Sequence, residues 1–288
     1  MKKISRSNLS LALAGVFLTL LTAILGAPFL RVLWIRFGSV AYWLTGLALT
    51  PAFALSGGYV AASVWVLIGL FSELEARGIR WVWNSILSLV VSFVVLGGGA
   101  VYELRTKGIT TYSQFAESSK SFIETSTPVG HPLRENSEAL LQILPALAFM
   151  ILILILAHGL VFEGWVCGLF RIPRERFAGQ IRFLEFKLPD VMVWVGMISF
   201  LGSFLDWPGK VVSTNIVYVC GLLFFLQGMA ILESFFIVLR TGWFVRGMSR
   251  ILFIFQSLVL VLVGFIDFWI DFRSRFRKLG SKAQTTGM

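Results

Sequence analysis

The sequence predicts an all-α fold: a polytopic transmembrane helical bundle of about eight helices (seven to nine), with a short amphipathic surface helix in the polar loop 103–138. Two observations carry this expectation. Hydrophobic residues fill 57% of the 288 positions, charged residues only 14%, and mean hydropathy is +0.84, far from the mixture of a soluble domain. Several apolar runs also approach the roughly 20 residues that cross about 30 Å of hydrocarbon at 1.5 Å per residue. Lipid offers no partner to backbone N–H and C=O groups, so such runs must be helical.

The first span, 9–30, follows Lys2, Lys3 and Arg6 and resembles a secretory signal. Its apolar core is longer than a signal's, and further apolar segments follow closely, so a retained helix is expected. Spans 37–55 and 59–71 come next. Pro28, Pro51 and Gly57-Gly58 cut this region into short pieces, leaving room for an extra short or re-entrant helix. The fourth span is 81–101. In the loop after it, Ile109, Tyr112, Phe115, Phe122 and Ile123 share one arc of about 140° on a helix, which predicts a surface helix on the membrane or capping the bundle.

Span 140–161 leads to a basic, aromatic segment holding Arg171, Arg174, Arg176, Arg182 and Lys187. These five are candidate contacts for anionic lipid or a partner protein. Spans 191–204, 211–239 and 251–272 form an expected C-terminal three-helix part within a single integral membrane domain.

The net charge of +10 belongs beside lipid headgroups rather than on nucleic acid, because the basic residues flank the apolar runs. Alternating sides along eight helices leaves 13 of the 25 Lys and Arg on one side and 12 on the other, so the positive-inside rule does not decide. The bases ahead of the first span favour a cytoplasmic amino end.

Several chemistries have no support in the sequence. No Gly-rich loop ends in Lys-Ser or Lys-Thr, and Gly97-Gly98-Gly99 lacks an adjoining basic residue. His131, His158, Cys167 and Cys220 make no metal or haem spacing, so neither metal nor cofactor is expected, and the cysteines read as small buried hydrophobes. Ser88 and Ser92 have no neighbour in sequence to activate them, and an enzyme is not expected.

What remains are polar residues within or beside apolar spans: Asn84, Gln142, Glu163, Asp190, Asn215, Gln227, Glu233, Gln256, Asp267 and Asp271. Ionisable groups at membrane depth cost roughly 2.5–3.5 kcal/mol on insertion scales, so each needs a partner or a wet cavity. Six steps of about 100° set Gln227 and Glu233 about 120° apart, so one stripe cannot hold both. Glu233 shares a face with Arg240, a natural ion pair; Gln227, beside Gly228, suits an interhelical hydrogen bond or a ligand. Asp267, Asp271 and Arg275 fall on one face as a charge ladder, and Glu163 with His158 could titrate usefully.

"LEFKLPDVMVWVGMISFLGSF", "NIVYVCGLLFFLQGMAILESFF" and "LVGFIDFWIDFR" in this order resemble the C-terminal half of the YybS-like family, bacterial membrane proteins of unknown function. Leu188-Pro189, Gln227-Gly228 and Gly264 with Asp267 carry the likeness. It implies a multi-pass protein of the bacterial inner membrane. By looser likeness to the membrane components of vitamin importers, it implies small-solute binding, with a separate ATPase as partner.

The expected function is therefore a small-solute-binding transport component. Gln227, Gly228, Asp267, Glu233 and Asn215 are the candidate ligand residues, facing a cavity between the last three helices. The alternative is an interaction or envelope-assembly protein, with an intramembrane enzyme third.

Overall fold

The computed structural model describes residues 6–55, 58–128, 132–172, 184, 186–239 and 241–276, and every regular element among them is a helix. The chain divides into two compact units, Met1–Gln180 and Ile181–Met288. Arg174, Arg176, Arg182, Arg240 and His131 lie outside the described residues.

The first unit opens with α1 (Arg6–Leu21) and α2 (Ala23–Phe37), where the sequence predicts one span over 9–30. The break is at Thr22, whose backbone is extended (φ −149°, ψ 118°). Thr19 closes the last turn of α1 by donating to the Gly15 carbonyl (2.6 Å), and Gly26 passes so close to Thr19 that a Cβ there would strike its backbone. The two helices therefore fold back on each other, with Gly15 against Phe29 and Leu30.

Gly38, at φ 83°, ends α2 in a conformation that side-chain-bearing residues avoid, and α3 (Ser39–Leu55) starts immediately. α4 (Tyr59–Ala76) runs back along α3: the Tyr42 ring stacks on Trp65 at 4.8 Å, and its hydroxyl donates to the Trp65 carbonyl (2.8 Å). α5 (Trp81–Thr106) is antiparallel to α4, with Gly99 against Tyr59 near one end and Asn84 bonded to Phe71 near the other.

α6 (Tyr112–Ser126) begins on a capping box in which the Thr111 hydroxyl accepts from the Gln114 N–H and Gln114 Oε1 accepts from the Thr111 N–H. Lys120 pairs with Glu138, tying α6 to the start of α8. Between them lies a groove of about 360 Å³ lined by Leu104, Ile109, Phe115, Ile123, Leu140 and Leu144. The amphipathic helix expected in this loop is thus present and faces the bundle, although Tyr112 and Phe122 stay largely exposed.

After the single turn α7 (Pro132–Glu135), α8 (Ser137–Leu169) supplies a 33-residue column. Gly159 receives Ala27 and Ile68, and Glu163 receives Arg31, so α2 and α4 both run parallel to α8. Phe93 meets Phe149 (5.5 Å), so α5 runs against it. Leu11, Phe29, Val32, Val166 and Cys167 form a core where α1, α2 and α8 meet.

The second unit contains α9 (Val191–Phe204), α10 (Lys210–Val238), α11 (Trp243–Phe255) and α12 (Ser257–Ile270). Here the predicted three-helix part gains a helix, because 251–272 is not continuous: Gln256 (φ −99°, ψ 43°) separates α11 from α12. On α11, Phe244, Met248, Leu252 and Phe255 are exposed within one arc of about 80°, with Arg246 on the far side.

α10 and α12 cross at Gly228 and Gly264; a Cβ on Gly228 would run into the Leu260 carbonyl oxygen, and one on Gly264 into that of Phe224. Among the described residues, α4, α5, α8 and α10 are long and apolar enough to cross a membrane. That property marks a membrane protein.

Candidate functional site

The most heavily charged buried centre is in the first unit. Arg31, on α2, is 4% exposed, and each arm of its guanidinium has a partner. Nε donates to Glu163 Oε2 on α8 (3.1 Å), Nη1 donates to the Ser72 hydroxyl on α4 (2.7 Å), and Nη2 pairs with Glu75 Oε2 one helical turn later. The Phe71 ring lies 5.4 Å from the guanidinium carbon, a cation–π contact, and the Ser72 hydroxyl donates a hydrogen bond to the Ile68 carbonyl (2.6 Å).

Glu163 is 1% exposed, whereas the Glu75 side chain keeps 20% of its surface. One guanidinium thus faces two carboxylates in a site walled by apolar helices. Burial costs several kcal/mol per ion even after relaxation, so such a constellation persists only when its partners are well placed.

A polar row continues from this centre along α5. Asn84 donates to the Phe71 carbonyl (2.9 Å), Ser88 donates to Asn84 Oδ1 (3.2 Å), and Ser92 follows one turn on. All three are fully buried, and the Ser92 hydroxyl has no hydrogen-bond partner among the described residues.

Sequence reasoning named Glu163 but paired it with His158. The two side chains are about 140° apart on α8. His158 instead lies against Phe162 with the rings tilted by 35° (centroids 4.4 Å apart), and Glu163 takes Arg31. Arg31 itself was missed because the predicted span ends at residue 30, whereas α2 continues to Phe37. Ser72 and Glu75 were missed because α4 continues past the predicted end at residue 71. The available signal was an arginine flanked on both sides by apolar pairs, Phe29-Leu30 and Val32-Leu33, a pattern unlike a loop.

In the second unit, Gln227, Gly228 and Asp267 do come together, around the glycine crossing. Gln227 Oε1 accepts from the Leu188 N–H (2.9 Å), and Nε2 donates to the Gly264 carbonyl and to Asp267 Oδ2 (both 3.1 Å). Asp267 Oδ1 also accepts from the Phe272 N–H (2.8 Å), closing the end of α12. Both side chains are buried and engaged by backbone and by each other.

Glu233 and Asn215 have their own partners. Glu233 forms an ion pair with Arg246 at 3.9 Å, and Asn215 Nδ2 donates to the Val211 carbonyl of its own helix (2.8 Å). The ladder expected from Asp267 to Arg275 is interrupted, since α12 ends at Ile270 and Asp271 turns left-handed (φ 48°). Arg171 and Lys187 are exposed. Cys167 and Cys220 are buried thiols, as their apolar surroundings predict.

No protein-family model, curated protein or solved structure matches the chain.

Proposed function

We propose that this chain is a multi-pass membrane protein acting as the small-solute-binding component of a transport system, and that its binding centre is Arg31 with Glu75 and Glu163. The observation that carries this is the buried guanidinium between two carboxylates. Ionisable groups held inside a membrane bundle are functional by default, because they are costly to keep there. Two carboxylates converge on this centre, and acidic groups are the chemistry that recognises a solute bearing a positive group. Glu75, the less buried acid, is the one such a solute meets first, and the row Asn84, Ser88 and Ser92 offers hydrogen bonds beyond it.

Gln227, Gly228 and Asp267 act, on this reading, as a packing device rather than as the solute site, since their hydrogen-bonding groups are engaged within the unit. The likeness to the YybS-like family supports the bacterial inner membrane as the location, and the absence of a phosphate loop makes a separate ATPase the natural energy source.

Affinity purification in mild detergent, followed by mass spectrometry of proteins and small molecules, tests the proposal. The wild-type protein should retain a cationic small molecule, and Glu75→Gln, which leaves Arg31 its bonds to Glu163 and Ser72, should lose at least nine-tenths of it while still purifying as a folded protein. No retained solute, or equal retention by the variant, overturns the reading. A tightly held partner protein without solute points instead to envelope assembly.

A further inference from the structure

The helix registers of the first unit place every turn against a common ruler, the 33-residue α8. Ala27 lies beside Gly159 and Arg31 beside Glu163, so each step along α2 matches one along α8. Thr22, five residues before Ala27, then falls level with Leu154. At 1.5 Å per residue this is about 22 Å from Leu169 and about 26 Å from Ser137.

α5 marks where the membrane boundaries fall along the same ruler. Trp81 and Trp83 stand at its start and Tyr102 near its end, the positions of interfacial aromatic belts, and the 21 steps from Trp81 to Tyr102 span about 31 Å, one hydrocarbon thickness. The midpoint, near Val91, is level with Met150 or Ile151 by the Phe93–Phe149 contact, and with residues 155–158 by way of α4, through Asn84–Phe71, Gly99–Tyr59 and Ile68–Gly159. The turn at Thr22 therefore lies within about 6 Å of the bilayer centre and does not reach the opposite boundary, about 15 Å from that centre.

We infer that α1 and α2 form a re-entrant hairpin that enters and leaves on the same side of the membrane, and that this side is cytoplasmic. The tip suits lipid: Leu21, Ile24 and Leu25 are exposed there, and Leu13, Phe17 and Leu21 make an outward stripe on α1. Its backbone is held by the Thr22 N–H to the Leu18 carbonyl (2.8 Å) and the Gly26 N–H to the Thr22 carbonyl (3.2 Å). Unsatisfied groups at this depth would be expensive.

The hairpin changes the charge balance. A single crossing over 9–30 puts the amino end opposite the α2–α3 turn, whereas the hairpin puts them together. By chain order, the segments belonging to one side of the first unit carry Lys2 and Lys3 ahead of α1, Arg6 at its start, Arg36 before α3, Arg77 and Arg80 between α4 and α5, and Arg171, Arg174 and Arg176 in the sequence that follows α8. The other side has Arg105, Lys107, Lys120 and Arg134. Nine against four, with buried Arg31 left out, satisfies the positive-inside rule, whereas a single crossing over 9–30 leaves the same 13 residues undecided at seven against six. The Arg31 centre, six residues before the end of α8, then lies toward the cytoplasmic end of the bundle. This topology stands whether or not that centre binds a solute.

Site-specific labelling in a bacterial host tests it. In a Cys167→Ser, Cys220→Ser background, a tag placed ahead of Met1 is combined with Phe37→Cys, Ile79→Cys or Ser113→Cys, and intact cells receive a membrane-impermeant maleimide. Ser113→Cys should label in intact cells, whereas Phe37→Cys, Ile79→Cys and the tag should become reachable only after the membrane is opened. A tag on the side opposite Phe37→Cys overturns the hairpin. A tag and Phe37→Cys that are both reachable in intact cells overturn the cytoplasmic assignment. Recovery of each variant in the membrane fraction shows that insertion succeeded.

Discussion

At the scale of single residues, Arg31 and Gln227 solve one problem in two ways. Each brings a multi-donor or donor–acceptor group into an apolar interior and satisfies it from more than one segment of chain. Arg31 does so with charge, and its removal leaves Glu75 and Glu163 without their cation. Arg31→Met should therefore cost about 3–5 kcal/mol, the usual penalty for breaking a buried pair by deleting one partner. Arg31→Lys keeps the charge, but a compact ammonium cannot present a planar fork to three separate acceptors, so it should fall between Met and wild type. Replacing Arg31, Glu75 and Glu163 together by apolar residues of similar size should recover most of the loss. Thermal unfolding in detergent gives the order; an Arg31→Met variant as stable as wild type removes the centre from any part in holding the helices together.

At the scale of elements, the sequence predicts helices well and their breaks poorly, for a physical reason. Runs 9–30 and 251–272 are predominantly apolar, and the residues at their breaks, Thr22 and Gln256, are no different in kind from Thr19 and Asp267, which lie inside helices. Those breaks come from tertiary packing: Gly26 must meet Thr19, and α12 must turn to cross α10. The crossing is legible in part, because Gln227-Gly228 and Gly264 with Asp267 stand out as small and polar residues in apolar helices. What their spacing could not reveal is that the two glycines meet each other. Gly228→Ala or Gly264→Ala must push the helix backbones apart and should cost about 1–3 kcal/mol or more by overpacking. Gly221, on the same helix α10 with open space around it, is the control. Gly221→Ala should be neutral or add up to about 1 kcal/mol through helix propensity. If all three variants melt together, the close approach of α10 and α12 is not what secures this unit.

At the scale of the whole molecule, hydropathy and length decide the fold class before any contact is known, because 57% apolar residues cannot be covered by 14% charged ones. Orientation is a different kind of property. It depends on how many times the chain crosses, and therefore on a single turn at Thr22 that only the register of α2 against α8 exposes. The buried charges were hidden for the same reason, since the ends of α2 and α4 decide whether residues 31, 72 and 75 are loop or bundle. The exposed apolar surface that each unit carries makes the most general prediction. Leu47, Val94, Ile198, Phe204 and Leu258 are each at least 60% exposed, and burying one such side chain is worth about 1.5–3 kcal/mol. Many together bind the chain to hydrocarbon far more firmly than its basic residues could bind it to headgroups. After expression, the protein should stay in the membrane pellet through high-salt and alkaline carbonate washes, which release proteins held by charge, and should leave it only with detergent. Release by carbonate alone would mean that these faces are covered by another protein rather than by lipid.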